Sequence, residues 1–275
     1  MAGAAIERAL SAVGTRADEE IDLADSALLL GALDLPGASL ERYRSHVGRL
    51  AEDVASLART GEPLERRRRH LNAVLFEAHG YAGDTESYDA PENANLLQVI
   101  DRKVGLPVSL GILYIHAARA QGWTVDGLAF PGHFLVRMDE GDRRVIVDPF
   151  HGGQLLEAGH LRGLLKQFQG ADAELEPAHY APVGNRAILL RLQNNIKSRA
   201  MQAGDVARAA AILERMLMIA PEAGGLWHEL GTLRARLGTI KGAVAALERS
   251  LACPLPEAAR SRVEAALAAL ATSLH

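Results

Sequence analysis

Three short segments carry residue types that can do chemistry together: GLPVSLG at 105–111, FPGHFLV at 130–136 and VDPFHGG at 147–153. Ser109 stands where a loop meets the start of an apolar helix. Free backbone N–H groups and the helix dipole there favour negative charge, so an oxyanion beside the hydroxyl would be stabilised. His133 and Asp148 are expected on consecutive strands around a short turn. A hairpin centred on Glu140-Gly141 sets residue 133 directly opposite residue 148 on one face. A carboxylate so placed orients an imidazole and fixes its tautomer. Ser109, His133 and Asp148 are therefore the candidate catalytic trio. Three readings stay open: a Ser-His-Asp hydrolase or acyl transferase, a degenerate site that binds a ligand or keeps a hydrogen-bond network, and a packing role in which Ser109 caps its helix.

Other residues offer less. Arg137 shares a strand face with His133 by alternation and either holds an anion or makes a surface salt bridge. The run Arg66 to Arg69 reads as a solvated helix face rather than a phosphate site, and His116 reads as a core histidine. His151, His160 and His179 lack the mutual spacing of a metal site and no H-E-x-x-H occurs, so no metal is expected. Gly152-Gly153 reads as a sharp turn, and no P-loop or purine-binding pattern appears, so no cofactor is expected.

The elements that must position these residues follow from periodicity. Helices are predicted over 22–33, 40–59, from Pro63 to Gly80, over 96–103, over 109–121 and near 161–168. Ser39 is placed to cap the second of them. The polar stretch GDTESYDAPENAN is long enough for a functional loop. Strands are predicted at 125–130, 133–138 and 143–148, with turns at Pro131-Gly132 and across 139–142.

The composition excludes several classes. Hydrophobic residues make up 48% and charged residues 23%, which fits a globular chain and not a disordered one. With 5 Phe, 5 Tyr and 2 Trp the apolar content rests on Ala and Leu, which favours helices. Residues 1–185 balance at −9 and 186–275 at +5, for the net −4, too little basic charge for nucleic acid to be the partner. The longest apolar run is far short of a membrane span, and the first fifteen residues do not form a secretory signal. One cysteine, Cys253, excludes a disulfide framework and suits a reducing cytoplasm, the expected location.

Beyond a loose stretch ending near residue 184 lies a repeat of period 34. Gln193, Ile196, Gly204, Ala209 and Leu213 recur as Trp227, Leu230, Gly238, Ala243 and Leu247. With Leu230-Gly231 and Pro221, this resembles two tetratricopeptide repeats plus a capping helix from Pro256. Gln193 and Lys197 stand where Trp and Gly are usual. Two repeats seldom hold a core alone, so the array is expected to pack on the first domain or on a partner. Two domains are thus predicted, 1–184 and 185–275.

The helix-start nucleophile, strand His and next-strand Asp are similar to the transglutaminase-like superfamily, whose papain-like core uses Cys-His-Asp. The fuller run resembles its bacterial SirB-type branch, which tends to carry C-terminal tetratricopeptide repeats: P-x-N at 91–93, RKVGLPVSL at 102–110, PGHFLVR at 131–137 and D-P-F-x-G-G at 148–153. The resemblance implies an α+β fold, helix-rich, with a papain-like core, a small antiparallel sheet and an all-α repeat tail. It also brings in Asn93 of P-x-N, which either caps a helix or lines the pocket. The departure lies at the nucleophile. Ser109 replaces the family's Cys, and a hydroxyl needs concerted proton removal where a thiol is already partly ionised. The resemblance therefore implies a cytoplasmic regulatory or interaction protein with a vestigial cleft, its repeats meeting a protein or peptide. The alternative is a serine hydrolase acting on a peptide-like amide.

Overall fold

The computed structural model describes residues 3–272. They fall into two compact units: Asp18–Leu192, and Gly3–Ala17 together with the chain from Gln193 onward.

In the first unit, helices α2 (Leu23–Ala32) and α3 (Leu40–Leu57) pack together. The Asp22 carboxylate caps α2 by accepting from Asp25 N. Ser39 sits at the N-cap of α3 without a side-chain bond, so the cap predicted there is backbone only. α3 buries Leu40, Tyr43, Val47, Leu50 and Val54, the stripe its helical spacing dictates. Helix α4 (Leu64–Asn72) runs into a π-helical turn over Ala73–Ala78. The arginine run on α4 is only half solvated. Arg67 pairs with Glu140 and lies over the Trp123 ring, and Arg68 donates to Gly153 O at 2.8 Å. Those two side chains tether the helix to the strand layer, a correction to the solvated face expected.

A two-residue parallel ladder joins β1 (Ala82–Gly83) to β2 (Val104–Gly105), on either side of α5 (Leu96–Arg102). Helix α6 (Pro107–Arg119) starts with Pro at its first turn, where no N–H is missed. It is apolar all round and buried on nearly every side. A five-stranded antiparallel sheet follows, of β3 (Thr124–Leu128), β4 (Val136–Glu140), β5 (Arg143–Asp148), β6 (Gln154–Leu156) and β7 (Pro182–Val183), in the order β6-β5-β4-β3-β7. Helix α7 (Ala158–Gln169) follows β6, and α8 (Asn185–Gln202) follows β7. The ring of Phe134 fills the space between helix and sheet. A Cβ on Gly111 of α6 or on Gly127 of β3 would lie within 2.5 Å of it. Only glycine at those two positions lets an aromatic ring enter.

The β4–β5 register differs from the one expected. Val136 pairs with Val147 and Glu140 with Arg143, so the connection is the two residues Gly141-Asp142, with Gly141 at φ 56°. His133 lies before β4, after Pro131 and Gly132 (φ 73°), and pairs with no residue of β5. The expected direct opposition to Asp148 is thus off by two positions. His133 reaches the end of β5 from outside the ladder, through the bend at residues 131–133.

In the second unit, α9 (Val206–Ile219), α10 (Gly224–Arg236), α11 (Ile240–Ala252) and α12 (Glu257–Thr272) stack in sequence, each against the next. The two repeat copies turn alike: Gly204 and Gly238, 34 residues apart, both adopt φ 74°. Gly231 lets α10 approach α11, since a Cβ there would stand 2.7 Å from Leu247 Cγ. In the first copy Lys197 takes that place, its stem buried and its ammonium 2.7 Å from Glu229. The N-terminal helix α1 (Gly3–Gly14) also belongs to this unit, packing on α9 so closely that a Cβ on Gly14 would meet Met218 O.

Candidate functional site

His133 and Asp148 meet. Asp148 ends β5, is 1% exposed, and its Oδ2 lies 2.9 Å from His133 Nε2. Its Oδ1 accepts from Phe150 N at 2.9 Å. A second imidazole shares the carboxylate, with His151 Nδ1 2.7 Å from the same Oδ2. Burial alone would push the Asp148 carboxyl up. The hydrogen bonds and charge of His133, then of His151, outweigh it and hold the group below the usual carboxylate range.

Each member sits on rigid backbone. The neighbouring Phe134 ring, wedged between Gly111 and Gly127, fixes the approach of His133. Gly152 and Gly153, at φ 64° and 72°, turn the chain after His151. Arg68 and Asn72 both donate to Gly153 O, which pins that turn to α4. Aromatic rings surround the dyad. Phe150 meets His133 edge-on at 6.0 Å, Phe168 stacks at 6.4 Å, and Tyr88 lies against Phe150 at 5.7 Å. Tyr88 and Phe168 are also among the few exposed large hydrophobic residues.

Ser109 has its hydroxyl engaged with other partners. It sits in the first turn of α6, fully buried, and its hydroxyl lies 2.8 Å from Asn93 O and 2.9 Å from Leu106 O, both acceptors. Among the described residues no hydrogen bond joins it to His133. In a serine-hydrolase triad the carboxylate takes Nδ1–H and the nucleophile faces Nε2. Here Nε2 is the nitrogen given to Asp148, so Nδ1 is the ring nitrogen that a nucleophile would have to face.

Asn93 is fully buried and does not cap a helix. Its Nδ2 donates to Asp84 Oδ2 and Ser87 O, and its Oδ1 accepts from Arg102. The residue that caps α5 is Asn95, whose Oδ1 accepts from Leu97 N and Gln98 N. Asn93 instead ties the 84–88 loop, which carries Tyr88, to the backbone beside Ser109. Arg137 is committed elsewhere, donating to Asp139 at 2.7 Å and to Tyr180 O. His160 and His179 each accept from a backbone N–H at the start of a helical turn. The residue that spacing did not single out is His151. Its signal was local, an Asp followed three residues later by a His within DPFH.

The family is that of the transglutaminase-like proteins. Residues 41–194, more than half of the chain, match the model of the transglutaminase-like superfamily, and residues 196–273 match tetratricopeptide repeats. A UPF0162 protein of Xylella fastidiosa (strain Temecula1) is 32% identical over 237 residues, covering 85% of this chain and 84% of that protein. A UPF0162 protein of Vibrio cholerae is 33% identical, covering 66% and 68%. Human F-box only protein 21 is 28% identical over 142 residues, 49% of this chain but 22% of that protein. The chain belongs to the UPF0162, or SirB-type, family of transglutaminase-like proteins with tetratricopeptide repeats. Among the described residues no helix is long and apolar enough to cross a membrane.

Proposed function

We propose that this chain is a regulatory, protein-binding member of its family, working in the cytoplasm, with the nucleophile position converted to structure. One observation carries the reading: the Ser109 hydroxyl is buried and directed at the Asn93 and Leu106 carbonyls. A hydroxyl so engaged has its proton in a structural bond and its lone pairs out of reach of a substrate. Ser109 then acts as a rivet between the start of α6 and the Asn93 turn. The repeats supply the interaction surface. Ala210, Ala211, Leu237 and Ile240 line a groove of about 720 Å³, with Arg234, Lys241 and Glu214 on its walls, a lining suited to a peptide or helix of a partner.

The second reading, a Ser-His-Asp hydrolase of a peptide-like amide, draws on the His133–Asp148 bond. It requires Ser109 to leave both carbonyls and turn toward Nδ1 of His133, the ring nitrogen not bonded to Asp148. An alkyl fluorophosphonate separates the two. The native chain is expected to stay unlabelled under conditions that saturate a serine hydrolase. Labelling that Ser109→Ala abolishes would overturn the non-hydrolytic reading.

A further inference from the structure

We propose that His133, Asp148 and His151 form a binding site for one divalent transition-metal ion, with zinc as the chemical match. This goes beyond partner binding and holds whether or not the repeats meet a protein.

The donor set is the first argument. Nε2 of His133, Oδ2 of Asp148 and Nδ1 of His151 all lie within 4.8 Å of one another. Both imidazole nitrogens converge on the same carboxylate oxygen, at 2.9 and 2.7 Å. Two imidazoles and a carboxylate suit zinc and its neighbours rather than magnesium or calcium, which want oxygen. Three protein ligands leave a fourth tetrahedral position for water or a ligand. The His151 side chain is 52% exposed, so that position opens to solvent.

Preorganisation is the second. A metal site requires donors held by the fold rather than gathered from mobile side chains. His133 is anchored through the wedged Phe134, Asp148 by the Phe150 N–H on its other oxygen, and the turn after His151 by Arg68 and Asn72. The aromatic rings of Phe150 and Phe168 exclude water from one side.

Geometry is the third. Bonds of 2.0–2.1 Å to a tetrahedral ion set ligand atoms about 3.3 Å apart. The present spacings are those of hydrogen bonds, in which a proton stands between each nitrogen and the carboxylate. An ion would take the place of those two protons, each imidazole carrying its proton on the other ring nitrogen, once the two N···O spacings widen by about half an ångström and the two nitrogens settle at the same separation. The exposed His151 can supply that movement.

The test uses the untagged full-length chain, stripped with a chelator and titrated with zinc by calorimetry and by dialysis with metal analysis. One zinc per chain is expected, with millimolar magnesium unable to displace it. His151→Ala, an exposed change that the fold should bear, is expected to weaken binding by at least about tenfold. His160→Ala, which alters a histidine capping α7, is expected to leave it unchanged. Asp148→Asn serves as a second ligand variant, with its folding checked by circular dichroism. Failure to bind one zinc would overturn the site, as would a stoichiometric zinc that survives His151→Ala. Loss of zinc in His160→Ala to the same extent as in His151→Ala would overturn it too. Fluorophosphonate labelling at Ser109 would count against the non-hydrolytic reading and leave these outcomes intact.

Discussion

The hydroxyl of Ser109 donates into the carbonyl side of Asn93, 2.8 Å away and sixteen residues earlier in the chain. That carbonyl also accepts from Leu106 N, so one turn holds both the entry and the first turn of α6. The two residues that sequence reasoning nominated for chemistry and for binding are thus partners in a structural joint.

Ser109→Cys, made with Cys253→Ala so that one thiol reports, is expected to react slowly with iodoacetamide even at pH 8.5. A helix N-terminus lowers a thiol's pKa, but full burial and two facing carbonyl oxygens raise it. The larger sulfur is also crowded by the Asn93 and Leu106 carbonyl oxygens, which stand 2.8 and 2.9 Å from the native hydroxyl. A loss of about 1–3 kcal/mol in thermal or denaturant stability is expected from that crowding. Rapid alkylation near neutral pH would mean that position 109 faces His133 and that the rivet reading is wrong.

Much of the fold was legible because period and punctuation agreed. Arg143–Asp148 matches its predicted strand at both ends, and the helices over residues 23–32 and 96–102 lie within a residue of expectation. The hairpin register was not legible. A cluster of four turn-forming residues, 139–142, leaves open which two make the turn, and only the left-handed Gly141 settles it. His133 reached Asp148 regardless, from the bend that precedes β4 rather than from the ladder itself. Ser109's orientation could not be read at all. A hydroxyl at a helix start serves equally as nucleophile or as tether, and the choice is made by the Asn93 carbonyl brought in from another segment. Arg67 and Arg68 show the same limit: a run of four like charges predicts solvation, and only tertiary acceptors at Glu140 and Gly153 reveal two of them as ties.

Phe134 and Gly127 define a second test. Gly127→Ala puts a methyl 2.5 Å from Phe134 Cζ, and a cost of about 1–3 kcal/mol is expected in denaturant unfolding. Phe134→Leu alone is expected to leave a void and destabilise as well. The double variant should recover part of the loss, with a coupling on the order of 1 kcal/mol. Strict additivity of the two changes would show that the ring is not wedged against the glycine.

Asn93→Asp keeps the shape of the side chain but sets a carboxylate where an amide donates to Asp84 Oδ2 at 3.0 Å. Asp84 is itself held below the usual carboxylate range, chiefly by the Ser87 N–H, against the opposing effect of burial. Two adjacent carboxylates raise the pKa of one of them. A loss on the order of 2–3 kcal/mol is expected at pH 7. Protonation of the new group relieves the repulsion, so the deficit should shrink as pH falls toward 5. A deficit constant across that range would assign the loss to the missing N–H bonds alone.

His46 supplies the pH dependence on the other side of α3. Its Nε2 lies 2.8 Å from Tyr81 OH and 3.1 Å from Lys103 Nζ, with the His79 ring edge-on at 5.6 Å. Arg42 and Arg49 line the same hollow, and its one carboxylate, Asp101, already accepts from Arg42 and Tyr43. Burial first, then the positive charge of Lys103, pushes the His46 imidazole down to about 4. In the unfolded chain the same group titrates near 6.5. Between those values the unfolded state binds the extra proton, so stability must fall as pH drops from 6.5 toward 4 and is fully present above that window. The contribution is on the order of 2 kcal/mol once solvent screening is allowed for. His46→Gln keeps a polar partner for Tyr81 and removes the titration. Urea unfolding at pH 7 and at pH 4.5 should therefore show a smaller loss of stability on acidification in the variant than in the native chain. Equal losses would place the acid sensitivity elsewhere, and not at Asp148: its lowered pKa gives stability that is lost only as pH falls below the ordinary carboxylate range, under this window.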